Sequence, residues 1–149
     1  MKPGFLVPVA GLALLTGCET FYGLKTYAVL AEPPVVECVD SALRGVEGVH
    51  DVRHGSGGSR GYQIFPKVGP SVTVSEVWSY DTGPGGVAIL QILSDDGRVT
   101  YTNGRTRIGS RIPEAELRAY APVMARVNMA VQQACGLDLG DPNPAMTRR

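Results

Sequence analysis

Residues 113–136 read PEAELRAYAPVMARVNMAVQQACG, and their spacing sets the frame of the fold. Pro113-Glu114 is a helix-start signal. Leu117, Tyr120, Met124, Val127, Val131 and Ala134 recur at alternating steps of three and four, which lays a narrow, continuous apolar stripe along one side. Pro122 lacks an amide proton, so it predicts a kink or a division of the helix in two. Cys135 falls four residues past Val131, on the side of the stripe, and Gly136 is a natural C-cap.

Working back along the chain, a second helix is expected over residues 34–45. Pro33-Pro34 supplies its start, with Pro34 near the first helical position, and Gly45 or Gly48 its end. Val35, Val39, Ala42 and Val46 recur at helical spacing, and Cys38 sits on or beside that stripe. Between the two helices the signals are those of strands. Residues 49–54 read as a short strand, 55–61 as a glycine-rich loop and 62–67 as another strand. In residues 71–80, Val72, Val74, Trp78 and Tyr80 alternate with Thr73, Ser75 and Ser79, as in a half-buried strand. Residues 87–93 are apolar on both faces, like a central strand. Asp96-Gly97 should close a hairpin into residues 99–102, and Asn103-Gly104 marks a further turn. The order predicts an α+β fold: an antiparallel sheet of four to five strands with an N-terminal and a C-terminal helix on one face. This single domain spans 34–137, and 138–149 is expected to be a disordered tail.

The amino terminus carries an address. Met1-Lys2 is basic, residues 5–15 are apolar, and Leu15-Thr16-Gly17-Cys18 closes the run. The run is shorter than the roughly 20 apolar residues a spanning helix needs, and Pro8 interrupts it. Leu15-Thr16-Gly17-Cys18 resembles the bacterial lipobox. That resemblance implies a lipoprotein signal peptide over 1–17, cleavage before Cys18, thioether lipidation of its sulfur and acylation of the new amino terminus. Glu19 follows, and under the sorting rule of that signal class a residue other than Asp implies the outer membrane, with the domain in the periplasm. Residues 18–33 would then be a lipidated tether. Its Phe21, Tyr22, Leu24, Tyr27, Val29 and Leu30 are unlike a Gly/Ser coil. They suit contact with the lipid interface, with a partner, or with the domain itself.

The lipid removes Cys18 from the thiol count. Cys38 and Cys135 remain, an even number in an oxidising compartment, and predict a disulfide that staples the first helix to the last. The alternatives are two buried thiols or a Cys nucleophile, whose base would have to be His50 or His54. Loss of the signal leaves 13 basic and 14 acidic side chains on 132 residues, a near-neutral chain of one-domain size without the electrostatic footprint of a nucleic-acid binder.

Candidate chemistry is sparse. Residues 57–61 match G-x-S-x-G around Ser59, but the repeated βα units of α/β-hydrolases are missing. His50 and His54 would stand about 13 Å apart along a strand, with no carboxylate or thiol set nearby to complete a metal site. Glu76 interrupts the apolar face between Val74 and Trp78. It reads either as an acid or base in a cleft, or as an edge, bulge or ion-paired residue. Arg105, Arg107 and Arg111, with Arg98 near them, form a candidate binding patch together with Glu76. That patch would meet lipid phosphates, peptidoglycan carboxylates or an acidic partner, or be a solvated face. Residues 38–43 followed by 48–52 are similar to the helix-to-strand passage of small heavy-metal-associated domains. The paired-Cys metal loop of that family is absent, because Pro34, Val35 and Val36 precede Cys38, so neither metal nor cofactor is expected. The overall expectation is a non-enzymatic binding or scaffolding module of the envelope, whose partners are the membrane and an envelope protein or peptidoglycan. The alternative is a small periplasmic hydrolase or ligand-binding enzyme using Glu76 or Ser59, which predicts a concave pocket in which Glu76 converges with His50, His54 or an arginine.

Overall fold

Alternation of inward and outward side chains governs the sheet. The computed structural model describes residues 20–21, 23–62, 70–83, 86–106 and 112–147. Along them run β1 (Thr20–Phe21), β2 (Gly23–Leu30), α1 (Val36–Arg44), β3 (His50–Tyr62), β4 (Pro70–Asp81), β5 (Val87–Asp95), β6 (Arg98–Thr106), β7 (Ile112–Pro113), α2 (Glu114–Cys135) and β8 (Ala145–Thr147). Among the described residues, six strands form one antiparallel sheet in the order β3-β4-β5-β6-β2-β8, and β1 pairs with β7. Leu24 and Leu30 of β2, Trp78 and Tyr80 of β4, Leu90 and Ile92 of β5, and Val99 and Tyr101 of β6 are buried on one face. There they share a single core with Val39 and Leu43 of α1 and with Leu117, Met124, Val127 and Val131 of α2. β5 is an inner strand, as its apolar run predicts. Only its even-numbered side chains are buried, however, and Val87 and Ile89 face outward.

Several expectations are corrected. The sheet has six strands rather than four or five, and the first helix is not the N-terminal element, because β2 precedes it. Residues 23–30, read as tether, pair along their whole length with β6. Their apolar content is a period of two, with Leu24, Thr26 and Leu30 inward and Lys25, Tyr27 and Val29 outward. Residues 138–149 are not a disordered tail over their described part: Leu139 is buried and β8 pairs with β2. The glycine-rich stretch 55–61 lies inside β3, in continuous register with β4 from Arg53–Ser79 to Tyr62–Pro70. Ladder bonds there outweigh the entropic cost of ordering glycine. Asn103-Gly104 is mid-strand, because the Asn103 side chain is buried and hydrogen-bonded. The strand expected at 62–67 falls largely outside the described residues. The Asp96-Gly97 hairpin is as expected, with φ of 45° and 82° in a two-residue turn.

α2 runs undivided through Pro122. Leu117 and Tyr120 before the proline and Met124, Val127 and Val131 after it are all buried, so packing on both sides holds the helix across the missing hydrogen bond. Gly136 caps it at φ 66°, a left-handed geometry suited to glycine. Cys38 and Cys135 are joined, with Cα atoms 5.8 Å apart, and the bridge ties α1 to the end of α2. Across a separation of 97 residues, loop-closure entropy makes such a link worth roughly 4 to 5 kcal/mol. No helix among the described residues is long and apolar enough to cross a membrane.

The buried tyrosine hydroxyls and asparagine amides of this core are hydrogen-bonded to one another. Tyr80 donates to Asn103 Oδ1 at 2.7 Å, and Tyr101 donates to Asn128 Oδ1 at 2.7 Å. Burial pushes both hydroxyls well above the ordinary tyrosine range, and for Tyr101 the neighbouring Tyr80 adds to it. Both therefore remain protonated donors in the folded chain. The unfolded chain releases these protons near pH 10 while the folded chain retains them, so the folded state binds more protons above that value. Stability should be indifferent to these groups below about pH 10 and fall above it, by about 1.4 kcal/mol per pH unit for each tyrosine. Urea midpoints recorded between about pH 9 and 12, with tyrosinate absorbance followed in parallel, check this. A flat midpoint, or full ionisation before unfolding, would show that the two hydroxyls titrate normally.

Candidate functional site

The register between β3 and β4 decides which polar groups meet. His54 stands opposite Trp78 and Ser56 opposite Glu76, so His54, Glu76 and Trp78 are cross-strand and diagonal neighbours on the core-side face. The His54 ring stacks on the Trp78 indole at 4.6 Å between centroids, with an interplanar angle of 28°. His54 Nε2 lies 2.7 Å from Glu76 Oε2. The Trp78 side chain is fully buried, while those of His54 and Glu76 are 28% and 21% exposed. The carboxylate that interrupts the apolar face is thus hydrogen-bonded to an imidazole and keeps partial access to solvent.

α1 supplies the next layer. Asp40 is bound by Arg44 through two hydrogen bonds of 2.7 and 3.1 Å. Arg44 holds the Asp40 carboxyl below the usual range, partly offset by burial, and the Trp78 indole and His54 add smaller contributions in the same direction as Arg44. Trp78 Nε1 is buried with no direct hydrogen bond. Beside this cluster is a cavity of about 270 Å³ walled by Pro33, Pro34, Val36, Ile92, Trp78 and Glu76. Small-molecule sites run from about 300 to 1,000 Å³, so this one has room for one large side chain or a short apolar segment. The imidazole–carboxylate pair can hold or relay one proton at its edge.

The other candidates are dispersed. Arg105 is not part of a surface patch. It is buried, because odd-numbered positions of β6 face the core, and it pairs with Glu116 at 2.8 Å. It also donates to the Val87 carbonyl at 3.2 Å and stacks over Tyr120 at 4.0 Å. Arg107, Arg111 and Cys18 lie outside the described residues. Arg98 is on the opposite face of the sheet from Glu76, where it donates to the Tyr27 hydroxyl at 3.0 Å. Ser59 is mid-strand, opposite Thr73, so it does not sit on the strand-to-helix elbow of a hydrolase. His50 pairs with Asp81 at the far end of β3, and no cluster among the described residues has three metal-ligating side chains. The sequence singles out Glu76 and leaves its partner open among His50, His54 and an arginine, since the register of a glycine-rich strand is not written in its side chains. No protein-family model matches the chain, and no curated protein or solved structure matches it either.

Trp78 is the single tryptophan, so its emission reports on this site alone. His54→Ala should open one face of the indole to water, shifting emission to the red and raising acrylamide quenching, whereas Glu76→Gln should leave the stack and the spectrum near those of the parent. Identical emission and quenching in His54→Ala would show that the rings are not in contact.

Proposed function

We propose that the chain is an outer-membrane-anchored periplasmic lipoprotein, attached through Cys18, that acts as a non-enzymatic binding or scaffolding module of the cell envelope. The cavity beside Trp78 carries this reading. Its walls are mostly apolar and its volume of about 270 Å³ suits one inserted side chain. Among the described residues its only charged wall residue is Glu76, which is already paired with His54. An aromatic or aliphatic anchor from an envelope protein fits those dimensions, in the manner of a hot-spot residue filling a pocket. The signal-like amino terminus supports the location: Leu15-Thr16-Gly17-Cys18 follows a short apolar run and a basic start.

The 2.7 Å approach of His54 to Glu76 favours a second reading, a small periplasmic hydrolase or ligand-binding enzyme in which this pair acts as general base. Glu76 carries that reading and Ser59 does not, since Ser59 lies within a strand.

One measurement tests the anchor and a second separates the two readings. Cys18→Ser should abolish acyl labelling and release the protein from the membrane fraction; unchanged retention would contradict the lipid anchor. A photo-crosslinker at Val74, which is 44% exposed beside the cavity, should capture a discrete envelope component in cells. Lack of any specific adduct, together with hydrolytic turnover that Glu76→Gln removes, would reverse the order of the two readings.

A further inference from the structure

The face of the sheet turned away from the core carries chemistry that the cavity does not use. Tyr27 and Val29 of β2 and Val87 and Ile89 of β5 stand on it, between 49% and 54% exposed. The register sets Ile89, Gly104 and Lys25 side by side, then Gln91, Thr102 and Tyr27, then Leu93, Thr100 and Val29. Gly104 has no side chain, and a hollow of about 260 Å³ opens above it, edged by Lys25, Ile89 and Thr102.

Cations frame this patch. Lys25 Nζ lies 5.5 Å from the centre of the Tyr27 ring, and Arg98 donates to the Tyr27 hydroxyl from the other side. Arg53, opposite Ser79, adds a third positive charge on the same face. The carboxylates of matching parity, Asp81 and Asp95, are engaged locally with the Gly83 amide and the Thr73 hydroxyl. At these paired strand positions three cations stand against two carboxylates, an excess of one positive charge. Aliphatic side chains, a tyrosine held between two cations and a positive excess are what a phospholipid interface selects.

Chain length points the same way. Thr20 already belongs to strand β1, two residues after Cys18, and two residues reach at most about 7 Å. β2 starts at Gly23 opposite Thr106, at the same end of the sheet as Val87. A lipid on Cys18 would therefore enter the bilayer near this end of the sheet, where β1 pairs with β7 at the start of α2, with no long spacer to hold the domain away.

We propose that this face lies on the anionic phospholipid surface that receives the anchor, with Val87 and Ile89 at the acyl boundary and Lys25 and Arg98 on lipid phosphates. The proposal rests on the lipid-anchor reading above. It turns the cavity beside Trp78, on the opposite face, toward the periplasm.

The test uses the acylated full-length chain in vesicles of phosphatidylethanolamine and phosphatidylglycerol. Cys18 is then a thioether and Cys38–Cys135 a disulfide, so an added cysteine takes an environment-sensitive fluorophore uniquely. Probes are placed by Ile89→Cys on the open face and, in a separate chain, by Met129→Cys on the exposed side of α2. Both sites are solvent-facing, and an unchanged thermal midpoint confirms folding. Lipid-borne nitroxide should quench the probe at 89 about five-fold or more above the probe at 129, and Lys25→Glu with Arg98→Glu should shrink that ratio. Equal quenching at the two sites overturns the proposal. So does a probe at 89 that is shielded from aqueous iodide yet untouched by the lipid nitroxide, which would place a protein on the face instead. The mass of the amino-terminal peptide from the same sample reads the anchor separately. A peptide without a diacylglyceryl group sinks the anchor reading, whereas an acylated chain with equal quenching sinks only the membrane face.

Discussion

One buried amide holds the parts of this fold in their relative places. Asn128 is fully buried on α2 and meets four partners. Its Oδ1 accepts from the Tyr101 hydroxyl at 2.7 Å and from Asn103 Nδ2 at 2.9 Å, while its Nδ2 donates to Thr26 Oγ1 at 2.8 Å and to the Pro142 carbonyl at 2.6 Å. The Pro142 carbonyl can only accept, which fixes the orientation of the amide. These bonds join α2 to β6, β2 and the carboxy-terminal stretch, and Asn103 extends them to Tyr80 on β4. Leaving any one of these buried groups unmet costs about 1 to 3 kcal/mol, so the network admits a single rotation of α2 over the sheet. With α2 in that rotation, Cys135 is presented to Cys38. α1 is then tied down where its Val36 and Trp78 wall the same cavity. The candidate site is thus downstream of an amide that has no contact with it.

A second buried polar group organises the other end. Arg105 is nearly inaccessible, and a buried charge is tolerable only when paired and hydrogen-bonded. Glu116, the Val87 carbonyl and the Tyr120 ring meet that demand. The Tyr120 ring in turn lies so close to Gly86 that a β-carbon there would stand 2.3 Å from it, so only glycine lets the chain enter β5 beneath the ring. The first turn of α2 is therefore locked to the sheet at the end where β2 begins. The exposed pairs Arg44–Asp40 and Arg118–Glu114 are of the solvent-screened kind that contribute little to stability.

What can be read from the chain follows the strength of each local signal. Both helices are legible because their apolar residues repeat at helical spacing and glycine ends them. The cysteine pair is legible from parity, and Asp96-Gly97 from the positive φ that its turn demands. β2 is hidden because Tyr27 and Val29 on its outward side are as apolar as Leu24 and Leu30 on its inward side, so composition masks the alternation. Asn103-Gly104 carries the residues of a turn, yet a tertiary partner on α2 pulls Asn103 into the core, and no local rule foresees a contact 25 residues away. Arg105 shares the alternation of β6, and the Val99, Tyr101, Asn103, Arg105 parity is the signal that could have found its burial. Glu76 stands out because a carboxylate on an apolar face is costly, but its partner depends on a register that glycines do not encode.

Asn128 therefore sets the position of α2, and with it the sheet edge, the carboxy-terminal stretch and the disulfide geometry. Urea unfolding of Asn128→Ala, read together with limited proteolysis of residues 138–147, puts this to the test. The expected outcome is a loss of about 3 kcal/mol or more and release of that stretch to protease while the core strands stay protected. A loss under about 1 kcal/mol with the stretch still protected would contradict it.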